Sequence, residues 1–211
     1  QCHGRNGALM PSVPGFVIGD SGGATGDPGL PTAGLVARWS ASDLELSDGD
    51  PVGTWAPGAG SPGSLTGSGS ARPTYRSTGS PSGHPCVEFD GSNDELSLSS
   101  PAGLPDGADA GTIVVIVSRC AHSGSLNHII AYGNGSTARG RGLGYNDATW
   151  RCLDYGSELG TSSDTPRHRQ AVVLGHAYDG TTRRLWVDGI PVAKDTPSLN
   201  TGATSLYLGR S

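Results

Sequence analysis

Apolar and polar residues alternate along most of this chain in short runs of period two, the signature of half-buried strands. Val87 and Phe89 alternate with Cys86 and Glu88, and Leu96 and Leu98 repeat the pattern after a polar break. The break, Asp90, Gly91, Ser92, Asn93 and Asp94, is turn chemistry, because Asx side chains cap their own backbone and Gly takes positive φ. The spacing predicts a hairpin here. Residues 111–118 form the most apolar run, β-branched and bounded by Gly, and predict a strand buried on both faces. Further strands are expected at 35–39, 128–132, 140–145, 148–155 and 205–210. Two Asp-Gly pairs, Asp179-Gly180 and Asp188-Gly189, predict consecutive hairpins over 169–193.

No stretch keeps an apolar stripe at helical spacing. The 35 Gly and 15 Pro of the 211 residues punctuate the chain too often for long helices; average usage is about 7% and 5%. A net charge of −5, spread along the chain, argues against nucleic acid as a partner. No run of about 20 apolar residues is present to span a membrane. The sequence begins at Gln1 and reads as already processed or cut.

Residues 1–33 differ from the rest. Gly-rich linker compositions flank an apolar piece containing Leu9, Met10, Phe16, Val17 and Ile18, which predicts one strand in an N-terminal extension. Residues 34–211 are long enough for one all-β domain with a sizeable core. The four cysteines, Cys2, Cys86, Cys120 and Cys152, lack Cys-x-x-C spacing, so zinc-ribbon and thioredoxin readings are poor. An even count in a Gly/Ser/Thr-rich β protein fits a secreted, oxidising setting. Of the three connectivities, Cys120–Cys152 with Cys2–Cys86 is favoured, since 120 and 152 lie in apolar strand-like runs; four buried free thiols are the alternative.

Four motifs in order resemble the laminin-G-like, concanavalin-A-like jelly-roll family. They are Trp39-Ser-Ala-Ser-Asp43 with Gly49-Asp-Pro-Val-Gly-Thr-Trp55, then Phe89-Asp-Gly-Ser-Asn-Asp-Glu-Leu96, then Tyr178-Asp-Gly-Thr with Leu185-Trp-Val-Asp-Gly189, and finally Leu206-Tyr-Leu-Gly209. The resemblance covers residues 34–211 and implies an all-β, two-sheet antiparallel jelly-roll β-sandwich preceded by an extended segment. Members usually carry about one more strand after the Leu-x-Leu-Gly strand, beside the opening one; here the sequence stops at Ser211.

An enzyme is not expected. The glutamates are Glu45, Glu88, Glu95 and Glu158, with no Glu-x-Asp-x-x-Glu pattern as in the glycosidases of this fold. The histidines show no His-Glu-x-x-His spacing, and no Gly-x-Ser-x-Gly elbow occurs. The resemblance implies calcium as a cofactor candidate, with Asp90, Asn93 and Asp94 as ligands; hairpin capping by the same side chains is the alternative. Asn134-Gly-Ser136 is a glycosylation sequon. Tyr75, Tyr145, Trp150, Tyr155 and Trp186 are the rings available for stacking on sugars, although alternating aromatics usually pack in cores.

Two functions are expected. In one, the chain is an extracellular structural subunit that builds a filament or surface lattice with other copies of itself through N-terminal strand exchange. In the other, it is a carbohydrate- or glycoprotein-binding adhesion module.

Overall fold

The computed structural model describes residues 16–18, 34–118, 126–146, 149–161 and 170–210. Seventeen strands and two 3₁₀ turns make up the regular structure of these described residues. The strands are β1 (Phe16–Ile18), β2 (Ala37–Trp39), β3 (Thr54–Trp55), β4 (Ala59–Gly60), β5 (Leu65–Thr66) and β6 (Thr74–Arg76). They continue as β7 (Cys86–Glu88), β8 (Leu96–Ser99), β9 (Gly111–Ser118), β10 (Asn127–Gly133), β11 (Gly140–Tyr145) and β12 (Trp150–Cys152). The last five are β13 (Leu159–Gly160), β14 (Ala171–Tyr178), β15 (Arg183–Val187), β16 (Ile190–Asp195) and β17 (Ser205–Leu208).

These strands form a two-sheet β-sandwich, the all-β class that the alternation predicts. One sheet has the order β16-β15-β14-β9-β1-β2-β4, the other β13-β12-β11-β10-β17-β8-β5-β3, and β6 pairs with β7 alone. Alternation sets the core. Ile113 and Val115 of β9, Val172 and Leu174 of β14, and Leu185 and Val187 of β15 are buried on the inner face of the first sheet. Ile130, Leu143, Cys152, Leu206, Leu208 and Leu96 meet them from the second. At one margin Trp39 Nε1 donates to the Trp55 carbonyl (3.1 Å) while Trp55 Nε1 donates to the Ser40 carbonyl (3.0 Å). The two indoles therefore tie β2 to β3 across the sandwich with no buried N–H left over.

Both Asp-Gly hairpins form. Asp188 (φ 49°) and Gly189 (φ 81°) occupy the two left-handed positions that a tight two-residue turn requires. The Asp188 carboxylate also accepts from Val173 N at 2.9 Å, pinning the turn to β14.

The structure corrects two expectations. The predicted hairpin at 86–98 is a corner: β7 pairs with β6, whereas β8 pairs with β17 and β5. Asp90 Oδ1 accepts from Ser92 N and Asn93 N, and Asp94 Oδ2 accepts from Asp90 N, so the turn is wound on itself and redirects the chain between sheets. Strand β9 is not buried on both faces. Its inner residues are covered by the second sheet, but Ile116 on the outer face is 41% exposed.

Candidate functional site

The most distinctive local arrangement lies between β2 and β9. These two strands do not pair with each other; β1 fills the slot between them. Its partners are Val17↔Arg38 and Ile18↔Trp39 on one side, and Phe16↔Ile113, Val17↔Val114 and Ile18↔Val115 on the other. Both pairings are parallel, and every other strand pairing among the described residues is antiparallel. Consecutive parallel strands cannot be joined by a tight turn and need a long connection. Residues 19–36, rich in Gly and Pro at their start, provide it. Without β1, backbone groups of Ile113 to Val115 and of Arg38 and Trp39 would face an empty slot beside fully buried Ala37 and Trp39. Of the residues expected to form the assembly strand, Phe16, Val17 and Ile18 are in β1, here seated on their own chain; Leu9 and Met10 lie outside the described residues.

A second arrangement is hidden between the sheets. Arg183 and Asp195 sit opposite each other on β15 and β16 and pair in bidentate fashion through one guanidinium edge, Nε to Oδ1 at 2.9 Å and Nη2 to Oδ2 at 2.5 Å. Arg183 Nη1 donates to Asp154 Oδ2 and to the Ser157 carbonyl. His176 Nε2 approaches the same Asp154 oxygen at 3.2 Å. Asp154, His176 and Arg183 are all 0% exposed. Burial alone would push the Asp154 carboxyl up, but His176 and Arg183 outweigh it and hold it below the ordinary carboxylate range. For Arg183 burial opposes the charge, and Asp195 and Asp154 more than restore it.

Beside this network, Arg141 of β11 is 1% exposed. Its Nε donates to Thr201 Oγ1 (2.7 Å), its Nη2 to the Gly107 carbonyl (3.3 Å), and the guanidinium lies 5.0 Å from the centre of the Tyr178 ring. Burial raises the neighbouring Tyr132 hydroxyl to about 12, against the pull of Arg141, and it donates to the Pro105 carbonyl. Sequence reasoning did not single out these groups, yet a signal exists. Arg183 shares the parity of Leu185 and Val187, His176 that of Leu174 and Tyr178, and Arg141 that of Leu143. A charged residue in register with core residues points inward.

The remaining expected sites separate. Asp90, Asn93 and Asp94 act as turn caps: backbone amides occupy Asp90 Oδ1 and lower its pKa, while burial raises that of Asp94. Asn93 Nδ2 donates away, to the Ser70 carbonyl at 3.2 Å. No group of three or more metal-ligating side chains occurs among the described residues.

Cys152 is a free, fully buried thiol, in place of the expected bridge to Cys120, and burial pushes its pKa well above the usual value. Its strand neighbours are Leu143 and Leu159, so it packs as a small apolar side chain. Cys86 is half-buried on β7; Cys2 and Cys120 lie outside the described residues, and these contain no disulfide.

Asn134 is half-buried in the β10–β11 connection, where its Oδ1 accepts from Ser136 N at 3.2 Å. Of the candidate stacking rings, Tyr75 and Trp150 are buried and Tyr145 packs edge-on against Trp150. Tyr155 is exposed, and Trp186 is half-buried in an outer-face groove with Arg184, Pro191 and Lys194. No helix among the described residues is long and apolar enough to cross a membrane. No family model matches this sequence, and no curated protein matches it.

Proposed function

We propose that this protein is an extracellular structural subunit, a non-catalytic sandwich of the laminin-G-like kind, whose copies assemble by exchanging β1. The observation that carries this reading is the slot: a three-residue strand, parallel to both neighbours, completes a sheet whose flanking strands do not otherwise meet. A segment that is separable in sequence and adds by backbone pairing can be supplied by its own chain or by the next one. Extended, residues 19–33 would reach roughly 50 Å at about 3.3 Å each, enough for either seating. Head-to-tail donation is a heterologous contact, which propagates into filaments unless its rotation closes a ring. The interior Asp154–His176–Arg183 network serves as a structural ion cluster, because its groups are sealed from any polymeric substrate.

Removing residues 1–33 tests the reading. The shortened chain should give no polymer by light scattering or negative-stain imaging, and a peptide spanning residues 8–19 should bind it one-to-one. Polymers of unchanged length from the shortened chain would refute strand exchange.

A second reading, glycan-binding adhesion, rests on Trp186, whose ring stands in a groove flanked by the cationic Arg184 and Lys194. A glycan array probed with wild type and Trp186→Ala distinguishes it: binding that vanishes in the variant supports adhesion.

A further inference from the structure

The seven-stranded sheet ends in two unlike margins, β16 on one side and β4 on the other. The β15–β16 margin carries an outer-face groove of about 570 Å³, lined by Arg184, Trp186, Pro191, Val192, Ala193 and Lys194. Arg184 and Lys194 are register partners, so two cations stand directly opposite each other, an arrangement that is destabilising within the chain itself. Asp179 Oδ2 offsets Arg184 at 3.0 Å. Lys194 is exposed and has no ion pair among the described residues. On the same face Trp186 stands between Gly175, which has no side chain, and Pro191. A bulge sets that register, with Leu185 facing Ala193, Trp186 facing Pro191 and Val192 left over. The adjoining Ile190 is 64% exposed. An accessible indole beside exposed apolar residues and an uncompensated cation marks a contact surface.

The other margin has the opposite charge. Asp43, in the 3₁₀ turn that follows β2, lies against Gly58 just before β4. Asp48 accepts from Ser77 N just after β6, and Glu88 of β7 is close by, sharing Arg76 with it. With Glu45 and Asp50, these carboxylates outnumber Arg38 and Arg76, which are already engaged with Asp43, Asp48 and Glu88. Glu45 is exposed and has no ion pair among the described residues. Five strands separate β16 from β4, which at ~4.8 Å per strand spacing puts the margins about 29 Å apart. The cationic groove and the acidic margin therefore cannot meet within one copy.

We propose that the Arg184–Trp186–Lys194 groove docks the acidic margin of a second copy, with Lys194 and Arg184 facing Glu45 and Asp48. The two surfaces lie at opposite edges of one sheet, so the contact is heterologous and repeats head to tail. Because the chain carries a net charge of −5, copies repel in most approaches, and the approach that brings the acidic margin to this groove is the attractive one. The inference rests on the assembly reading and adds a second contact to it, one that does not require β1 to be exchanged.

The test uses full-length chains carrying single charge reversals, Lys194→Glu in one and Glu45→Lys in the other. The critical concentration for assembly is read by light scattering and sedimentation at low salt, where surface charges are least screened, and thermal midpoints establish that each variant folds. Each variant alone should need at least about tenfold more protein than wild type to assemble. Mixed in equal amounts, the two should recover the wild-type threshold, since each reversed surface then meets its opposite on the other chain. Both positions are exposed, and the neutral variants Lys194→Gln and Glu45→Gln should shift the threshold the same way where a reversal fails to fold. The proposal is overturned if a folded variant assembles at the wild-type threshold, or if the mixture does not recover it. It is also overturned if a glycan array shows binding that needs Lys194 while assembly ignores that residue, a glycan then being the occupant of the groove. Wild type that stays monomeric removes the assembly reading and this contact with it. Wild type that assembles beside unaffected variants removes this contact alone and leaves strand exchange standing.

Discussion

The two halves of the seven-stranded sheet are built on different terms. On one side, β9 and β14 pair over eight consecutive positions, from Ala171↔Ser118 to Tyr178↔Gly111, and β14, β15 and β16 follow through tight turns. On the other, β1 has three register partners on β9 and two on β2, and β2 has two on β4. The first half is fixed by local connections and by the buried Arg183 network. In the second half, a single short strand joins two margins, and its connection to β2 is long. A sheet assembled this way is stable where its strands are consecutive and open to substitution where one strand arrives from afar.

The largest expected effect comes from breaking the buried network that Asp154, just after β12 of the other sheet, makes with His176 and Arg183 of the first half. Asp154→Ala leaves His176 and one edge of Arg183 without their carboxylate, and should cost roughly 3–5 kcal/mol, read from urea midpoints. The same carboxylate predicts an acid limb. Its folded pKa lies below the unfolded value of about 3.9. The stabilisation is therefore complete above that value and is lost as pH falls through the folded pKa. Wild-type stability should fall faster than that of the variant below about pH 4. Equal slopes would show that Asp154 contributes no such stabilisation.

Loss of β1 is next in size and local. Removing residues 1–33 should release amide protection across Ile113 to Val115 and at Trp39, at about 0.5–1.5 kcal/mol per lost backbone bond, while β14 and β15 stay protected. Uniform loss of protection would mean that the halves are not separable. Trp55→Phe, which takes the donor from Ser40 and leaves the Trp39 indole its carbonyl, should cost about 1–2 kcal/mol by thermal unfolding. The smallest effect is a null one. Cys152 should resist alkylation in the native protein and react only on unfolding, because its raised pKa and burial withhold the thiolate.

Much of the first half was legible before any coordinates. Period-two alternation placed β14 and β15, and two Asp-Gly pairs placed the turns between β14, β15 and β16. The same rule misled at residues 86–98, because alternation identifies strands and not their partners; only the wrapping of Asp90 and Asp94 decides that the chain turns a corner. It also misled at β9, where an apolar run reads the same whether its outer face is covered or, as at Ile116, partly exposed. Phe16 to Ile18 read as a strand, but parallel insertion between β2 and β9 depends on contacts nearly a hundred residues apart, which no local pattern encodes. The interior charges were visible only as parity, Arg183 with Leu185 and His176 with Leu174; their convergence on Asp154 is tertiary.

The most direct test of strand exchange asks whose β1 fills the slot. A photoreactive residue in place of Val17 lies opposite Arg38 and Val114. Light and ¹⁵N-labelled chains carrying it are unfolded, mixed in equal amounts, assembled and irradiated, and cross-linked peptides joining residue 17 to β2 or β9 are weighed. Strand exchange predicts mixed-isotope peptides as abundant as same-isotope ones in the assembled fraction. Same-isotope peptides alone would place every β1 in its own chain and contradict the account.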